Sequence, residues 1–345
     1  MLGIIIPIII IIICSIILWR KCAKFDIASR IIGQNLNSGI RGATINAIAS
    51  SLPEFFIALF FLFYFSNDIT GFLGTIGTIF GSAIFNILII PAIVIFIMIY
   101  YRKETAIINK KIIIRDAIPL IISQILLIVS LADKEITLHE SFSFIFIYLA
   151  YIIYLFNSNK NKNTETKHNT KGAWIRLILN TIYIGIACFF LVRACEWIGR
   201  DEYTLFSLTL YGLKMSPLYV ALIFAAAASS LPDTLISATD AMKGDIEDSL
   251  ANPIASNTFD ICIALGLPLT LYILFYGPIN LNLMENPNSV IQIMYYMLFL
   301  TLSVIFLLML FKKYNLFQAF SFVVLYIVFF YLIAQLVIDG LSINI

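Results

Sequence analysis

The hexapeptide Ala49–Glu54, ASSLPE, puts a proline and a carboxylate inside a long apolar segment, and Ala228–Asp233, ASSLPD, repeats it in the other half of the chain. A proline within a helix removes one backbone hydrogen bond, here those of the Ala49 and Ala228 carbonyls four residues upstream. In hydrocarbon a freed carbonyl is costly unless another donor or a cation takes the place of the lost N–H. Ser51 and Glu54 also carry the Ser-x-x-Glu spacing of a capping box, with proline in the first turn. A helix start capped by its own side chains is therefore the plain alternative. A cap, however, gives no reason to lie in an apolar segment twice.

Composition bounds the problem. The 345 residues are 61% hydrophobic and 12% charged, with a mean hydropathy of +0.97, which excludes an ordinary soluble domain and points to a polytopic membrane protein. Five scattered cysteines, Cys14, Cys22, Cys188, Cys195 and Cys262, show no metal-ligand spacing and read as small core residues. Residues 2–19 are apolar but lack a basic leader and run into Arg20-Lys21, so they read as a first span and not as a signal peptide.

Segments long enough to cross a bilayer fall at 2–24, 40–65, 72–99, 113–131 and 140–156. A second set falls at 174–197, 203–225 continuing to 241, 249–277, 288–311 and 316–340. The fold class is thus an all-α integral membrane protein of ten transmembrane helices. Residues 1–156 and 173–345 form two five-helix repeats about a hydrophilic linker, 157–172, with the repeated motifs at 46–90 and 225–268. Of the 22 Lys and Arg, 18 fall on the linker side and 4 (Lys134, Arg193, Arg200, Lys214) on the other. That asymmetry predicts a cytoplasmic linker and both termini outside; the plasma membrane is the expected location.

The halves repeat in order. Besides the ASSLP pair at an offset of 179, GSAIFNI at 81–87 matches ASNTFDI at 255–261 at an offset of 174. An odd number of spans per half turns the second copy upside down, an arrangement that places a transporter's substrate site where the copies meet near the midplane. Thr78, Ser82 and Asn86, and likewise Asn252, Ser256 and Asp260, are spaced by four and share one helical face. For Gly74, Gly77 and Gly81 close helix packing is the expected role.

Glu54, Asp233 and Asp260 are therefore expected to converge at depth with the amide of Asn86. An ionised carboxylate at a helix centre costs roughly 2.5–3.5 kcal/mol, so three cost on the order of 8–10 kcal/mol if the terms add. These helices carry no Lys or Arg at that depth, which leaves mobile cations or protons to balance the acids. Carboxylate, amide, hydroxyl and carbonyl oxygens suit calcium, magnesium or sodium, not soft metals.

With these residues the chain resembles the cation/calcium exchanger superfamily, whose two α-repeats read approximately G-T-S-x-P-[ED] and G-N-x-x-G-S-N-x-F-[ND]-I. SNTFDI and the trailing GLP of the second copy resemble the potassium-dependent sodium/calcium exchangers, and GSAIFN of the first is similar to animal sodium/calcium exchangers. The resemblance implies a secondary antiporter moving calcium against sodium by alternating access. It implies Glu54 and Asp233 as central calcium ligands, completed by backbone oxygens at Ser50 and Ser229. Ser51, Ser82, Asn86, Ser230, Ser256 and Asp260, with the carbonyls of Ala47 and Ala226, would line flanking sodium sites. Ser50 and Ser229 replace the usual threonines, Thr78 and Ala83 stand where many members have asparagine, and Ala251 and Ala255 replace glycines. Asp233 is also the shorter acid and Pro253 follows Asn252; these departures bear on ion selectivity and stoichiometry more than on fold.

Calcium/proton exchange and potassium-dependent exchange are the nearest alternatives. An intramembrane aspartyl protease using Asp233 and Asp260 would leave Glu54 and the repeat unexplained. The histidines, His139 and His168, fall in predicted loops, against a serine protease, and a passive channel gives no reason for a closed carboxylate cluster. Asp240, Asp245, Glu247 and Asp248, near the turn between the seventh and eighth spans, read as a solvated helix-end cluster, with a cation funnel as the alternative. No cofactor is expected, since the ions (Ca2+ and Na+, with K+ or H+ as variants) are cargo. The expected partners are membrane lipid and inorganic cations, with no nucleic acid and no obligate protein partner.

Overall fold

The computed structural model describes residues 2–32, 40–65, 69–104, 106–158, 171–283 and 287–342. Most of the predicted linker, 159–170, lies outside the described residues. The first half holds α1 (Leu2–Ile32), α2 (Ala47–Ser50), α3 (Leu52–Tyr64), α4 (Thr70–Phe96), α5 (Lys110–Ser130) and α6 (Leu138–Ser158). The second holds α7 (Lys171–Gly199), α8 (Pro217–Val220), α9 (Ala226–Ser229), α10 (Leu231–Lys243), α11 (Ile246–Phe259), α12 (Gly266–Tyr276), α13 (Pro287–Leu310) and α14 (Leu316–Ser342). Among the described residues nine helices are long and apolar enough to span a membrane, and α2 with α3, bent by 44° at Ser51, makes a tenth.

Two predicted boundaries change. The first span continues past residue 24 to Ile32, so that Asp26 and Arg30 ride on α1. The segment from 203 is not helical: β1 (Glu202–Leu205) and β2 (Leu208–Tyr211) form an antiparallel hairpin, and the seventh span starts at Pro217. Its two-residue turn, Phe206–Ser207, holds φ at 47° and 67°, the left-handed turn that matches strand twist. Apolar content is shared by strand and span, which is why the sequence misleads here.

Short pairings sort the loops into two ends. An isolated bridge joins Ile107, after the third span, to Lys313, between the ninth and tenth. At the other end Glu135–Ile136, before the fifth span, pairs with Ile279–Asn280, after the eighth. The loops that follow the third span of each half thus lie at opposite ends, which is the inversion expected of the repeats.

Irregular backbone falls in corresponding places. π-helical turns at Gly42–Asn46 and Ala221–Ala225 precede α2 and α9, and another, Asp260–Leu265, joins α11 to α12. Such turns reorient side chains within a helix and gather at functional sites. The helix α4 is nearly buried and packs on α3, α11, α14 and the 217–229 segment. Gly77 and Gly81 permit that last contact: an added Cβ would stand 2.2 Å from the Leu218 carbonyl oxygen and 2.3 Å from that of Leu222. Close packing is therefore their role, as expected.

Candidate cation site

The breaks at Ser51 and Ser230 put the two acids at the starts of α3 and α10, facing the hairpin helices α4 and α11. Glu54, Asp233 and Asp260 are all fully buried. Ser82 Oγ donates to Glu54 Oε1 at 2.9 Å, and its mate Ser256 Oγ donates to Asp233 Oδ1 at 2.6 Å. Each half thus steadies its own acid with the hydroxyl on its own following helix.

Contacts then cross between the halves. Asn86 Nδ2 donates to Asp233 Oδ2 at 3.3 Å, and lies 3.5 Å from Ser82 Oγ. Ser230 Oγ and Ser82 Oγ are 3.0 Å apart, and Ser50 Oγ and Ser256 Oγ are 3.3 Å apart. Glu54 and Asp233 are therefore joined through Ser82 and Asn86 within one polar web. Asp260, the mate of Asn86, lies beside Ser51 and within electrostatic reach of Glu54 and Asp233.

The two acids are not held equally. Asp233 accepts from Ser256, from Asn86, and from Asn252 Nδ2 at 3.3 Å. Thr78, in the place of Asn252, turns its hydroxyl onto its own Gly74 carbonyl at 2.9 Å and gives Glu54 nothing. Glu54 Oε2, both oxygens of Asp260, Asn86 Oδ1 and Ser51 Oγ are buried without a hydrogen-bond partner among the described residues. Unpaired buried oxygens of this kind normally find a partner.

Ser51 makes no side-chain cap bond, and Glu54 turns to Ser82, so the capping-box alternative fails. The Ala47 and Ala226 carbonyls accept from the N–H groups of Ser51 and Ser230, each at 3.0 Å. They also accept from Ser50 Oγ at 3.3 Å and Ser229 Oγ at 3.2 Å. The Ser229 hydroxyl lies beside Glu54, as that of Ser50 lies beside Asp233. Among the described residues no three His, Cys, Asp or Glu side chains gather into a metal-holding cluster. Glu54 and Asp233 thus share a shell of hydroxyls and amides, with Asp260 within electrostatic reach of both. All five cysteines are free and buried, as core residues should be.

The sodium/calcium exchanger protein family model matches residues 2–157 and 172–335. The chain belongs to this exchanger family. A 92-residue stretch is 29% identical to the sodium/potassium/calcium exchanger Nckx30C of Drosophila melanogaster, covering 26% of this chain and 10% of that protein. The chain therefore matches about a tenth of that exchanger's length. The sodium-calcium exchanger NCX_Mj, soaked with Na+ and Sr2+, superposes with a TM-score of 0.64 over 94% of this chain and 98% of that one, at 20% identity. The H+/Ca2+ exchanger CAX gives 0.68 over 94% and 80%, at 14% identity. The ten-span fold with inverted repeats is thus the exchanger fold. Members of the family are membrane transporters of the cation/calcium exchange class, not enzymes.

Two features of this family member differ from the expectation or add to it. Asp240 and Asp248 are not a solvated cluster: both are fully buried, Asp240 on Arg30 at 2.8 Å and Asp248 on Arg41. Asn46, which lies outside the repeated polar rows, donates from Nδ2 to Asp240 Oδ2 at 2.9 Å. Their partners lie some two hundred positions away, so no local pattern reports them.

Proposed function

We propose that the chain exchanges Ca2+ for Na+ by alternating access at a midplane site centred on Glu54 and Asp233. One observation carries this reading. The two acids are fully buried yet bonded to neutral hydroxyl and amide groups, and Glu54 keeps one oxygen unpaired. A buried carboxylate without a base holds its charge at great cost, and an entering cation removes that cost. Glu54 and Asp233, with backbone oxygens at Ser50 and Ser229, are the calcium ligands in this reading. Ser51, Ser82, Asn86, Ser230, Ser256 and Asp260, with the Ala47 and Ala226 carbonyls, line the sodium positions. The protein needs no resident cofactor, since the ions are its cargo, and its surroundings are membrane lipid. The 18-to-4 distribution of Lys and Arg supports both termini outside and a cytoplasmic linker, and the plasma membrane is the location we propose.

Potassium-dependent exchange is the second reading, favoured by the formal charge of Asp260 at the place of Asn86 and by the likeness to a sodium/potassium/calcium exchanger. Calcium flux into proteoliposomes, under sodium, potassium and pH gradients imposed one at a time, separates these readings. Flux driven by sodium alone supports the first, and flux that needs potassium as well supports the second. Flux driven by the pH gradient and indifferent to sodium would overturn both.

A further inference from the structure

We propose that Arg30, Asp240 and Asn46 are positioning residues that hold the site shut at the end of the molecule bearing the 102–110 and 311–315 loops. Arg30, on α1, donates from Nη2 to both oxygens of Asp240 on α10, at 3.1 and 2.8 Å, and from Nε to Asp26 Oδ2 at 2.7 Å. Asn46, in the turn before α2, donates to Asp240 Oδ2 at 2.9 Å, and its own carbonyl accepts from Ser50 Oγ at 2.8 Å. Ser50 in turn lies 3.3 Å from Ser256 Oγ and 3.4 Å from Asn252 Oδ1, the two residues that hold Asp233. A continuous polar chain therefore runs from the acid of the site, through Ser50 and Asn46, to the fully buried Asp240, whose ion pair with the partly exposed Arg30 ties α10 to α1. Arg41, entering α2, adds links to Asp248 and, at 3.5 Å, to Asp245.

The repeat makes this feature one-sided. At the offset of 179, Asp240 corresponds to Phe61 and Asn46 to Ala225. Both mates are buried in one apolar cluster, so the equivalent junction at the other end, between α3 and α7, carries no acid in the place of Asp240 and is held by packing and by the Arg193 guanidinium, which donates to the Tyr64 hydroxyl. A cavity of about 210 Å³ opens beside Phe61 at that end, lined also by Thr70, Glu196 and Arg200. A site that serves both faces must part α2 from α10 at one end and α3 from the 221–229 segment at the other. At the 102–110 end this requires separating an ion pair whose acid is fully buried, and at the opposite end it requires apolar sliding and the loss of the contact between Arg193 and the neutral Tyr64 hydroxyl. Removing one partner of such a pair is strongly unfavourable for the arrangement that contains it. The charged junction thus biases the protein toward closure at its own end.

Cys22 is a built-in reporter, since its thiol is fully buried on α1 within electrostatic reach of Glu54 and Asp233. With Cys14, Cys188, Cys195 and Cys262 replaced by alanine, the chain is placed in oriented vesicles and a membrane-impermeant methanethiosulfonate is added to either face. Asp240→Asn and Asn46→Ala should each speed Cys22 labelling from the 102–110 face by about tenfold while leaving the rate from the other face unchanged. Unchanged labelling in both single variants, or equal acceleration from both faces, would overturn the proposal. Should Asp240→Asn not fold, Asn46→Ala, which leaves the ion pair intact, decides the matter. The purpose of the closure rests on the exchange reading above, but labelling needs no transported ion. One-sided labelling without calcium flux would sink that reading and leave this one standing.

Discussion

The Asn86 amide donates to Asp233 Oδ2 at 3.3 Å, so a side chain of the first repeat holds the acid of the second. The inverse contact does not exist in the same form. Asp260 stands where an amide would return the bond, and a carboxylate near Glu54 repels it. The pseudo-twofold is therefore broken electrostatically at its centre, with one acid well donated to and the other left open. Glu54 is the more exposed to whatever ion enters, in the sense that its Oε2 has no protein partner among the described residues.

From this follows a test of the two central acids. Glu54→Gln and Asp233→Asn should each weaken calcium transport by about 100-fold or more, because ligand charge sets affinity and each decade is about 1.4 kcal/mol. Neither should destabilise the calcium-free protein, since each removes a buried charge that costs roughly 2.5–3.5 kcal/mol. Flux assays and thermal unfolding in detergent, run side by side, check both halves of the statement. Normal flux in either variant would remove that acid from the site.

Asp260 invites a subtler change. Hydrogen bonding at its position needs no formal charge, as Asn86 demonstrates in the other half. Asp260→Asn should keep calcium binding within about tenfold while erasing much of the dependence on sodium or potassium. Isothermal titration with calcium and flux under each monovalent gradient measure the two effects. A variant with unaltered sodium and potassium dependence assigns Asp260 no part in coupling.

Much of this arrangement was legible from the chain alone, and the exceptions have physical causes. Ten spans, their inversion and the Pro-acid breaks follow from hydropathy, span parity and two repeated motifs, each a local signal. The hairpin at Glu202–Tyr211 did not, because Tyr, Leu and Phe serve a strand as well as a span and nothing in its composition marks the strand hydrogen bonds. Asp240 and Asp248 read as solvated because acids at a helix end usually are. Their burial depends on Arg30 and Arg41, which only the folded chain brings to them. Thr78 lay on the predicted polar face, yet a threonine can satisfy itself on the turn before it, and here it does.

Packing between the repeats gives a prediction about the fold itself. Gly81→Ala would set a methyl 2.3 Å from the Leu222 carbonyl and 2.5 Å from the Ala226 Cβ, neither of which is the far end of a flexible side chain. Overpacking of this kind costs typically 1–3 kcal/mol, and α4 must move off the 217–229 segment that carries Ala226. Lower thermal stability and weaker calcium flux should appear together. Gly172→Ala, where an added Cβ meets nothing within 4 Å, is the control expected to change neither.

Ser51 separates a capping role from a ligand role. If its hydroxyl closed the start of α3, Ser51→Ala would cost about 1 kcal/mol of stability, the usual value for a lost N-cap. It makes no cap bond, and it sits buried beside Asp260 with its oxygen unpaired. The alanine variant should therefore unfold within about 0.5 kcal/mol of the parent, as substitutions that break no internal bond usually do. Its sodium dependence should nonetheless shift to higher sodium, because one oxygen has left the site. Thermal unfolding without sodium reads the first quantity, and calcium flux against a sodium series reads the second. Loss of stability with an unchanged sodium series would return Ser51 to the role of a cap.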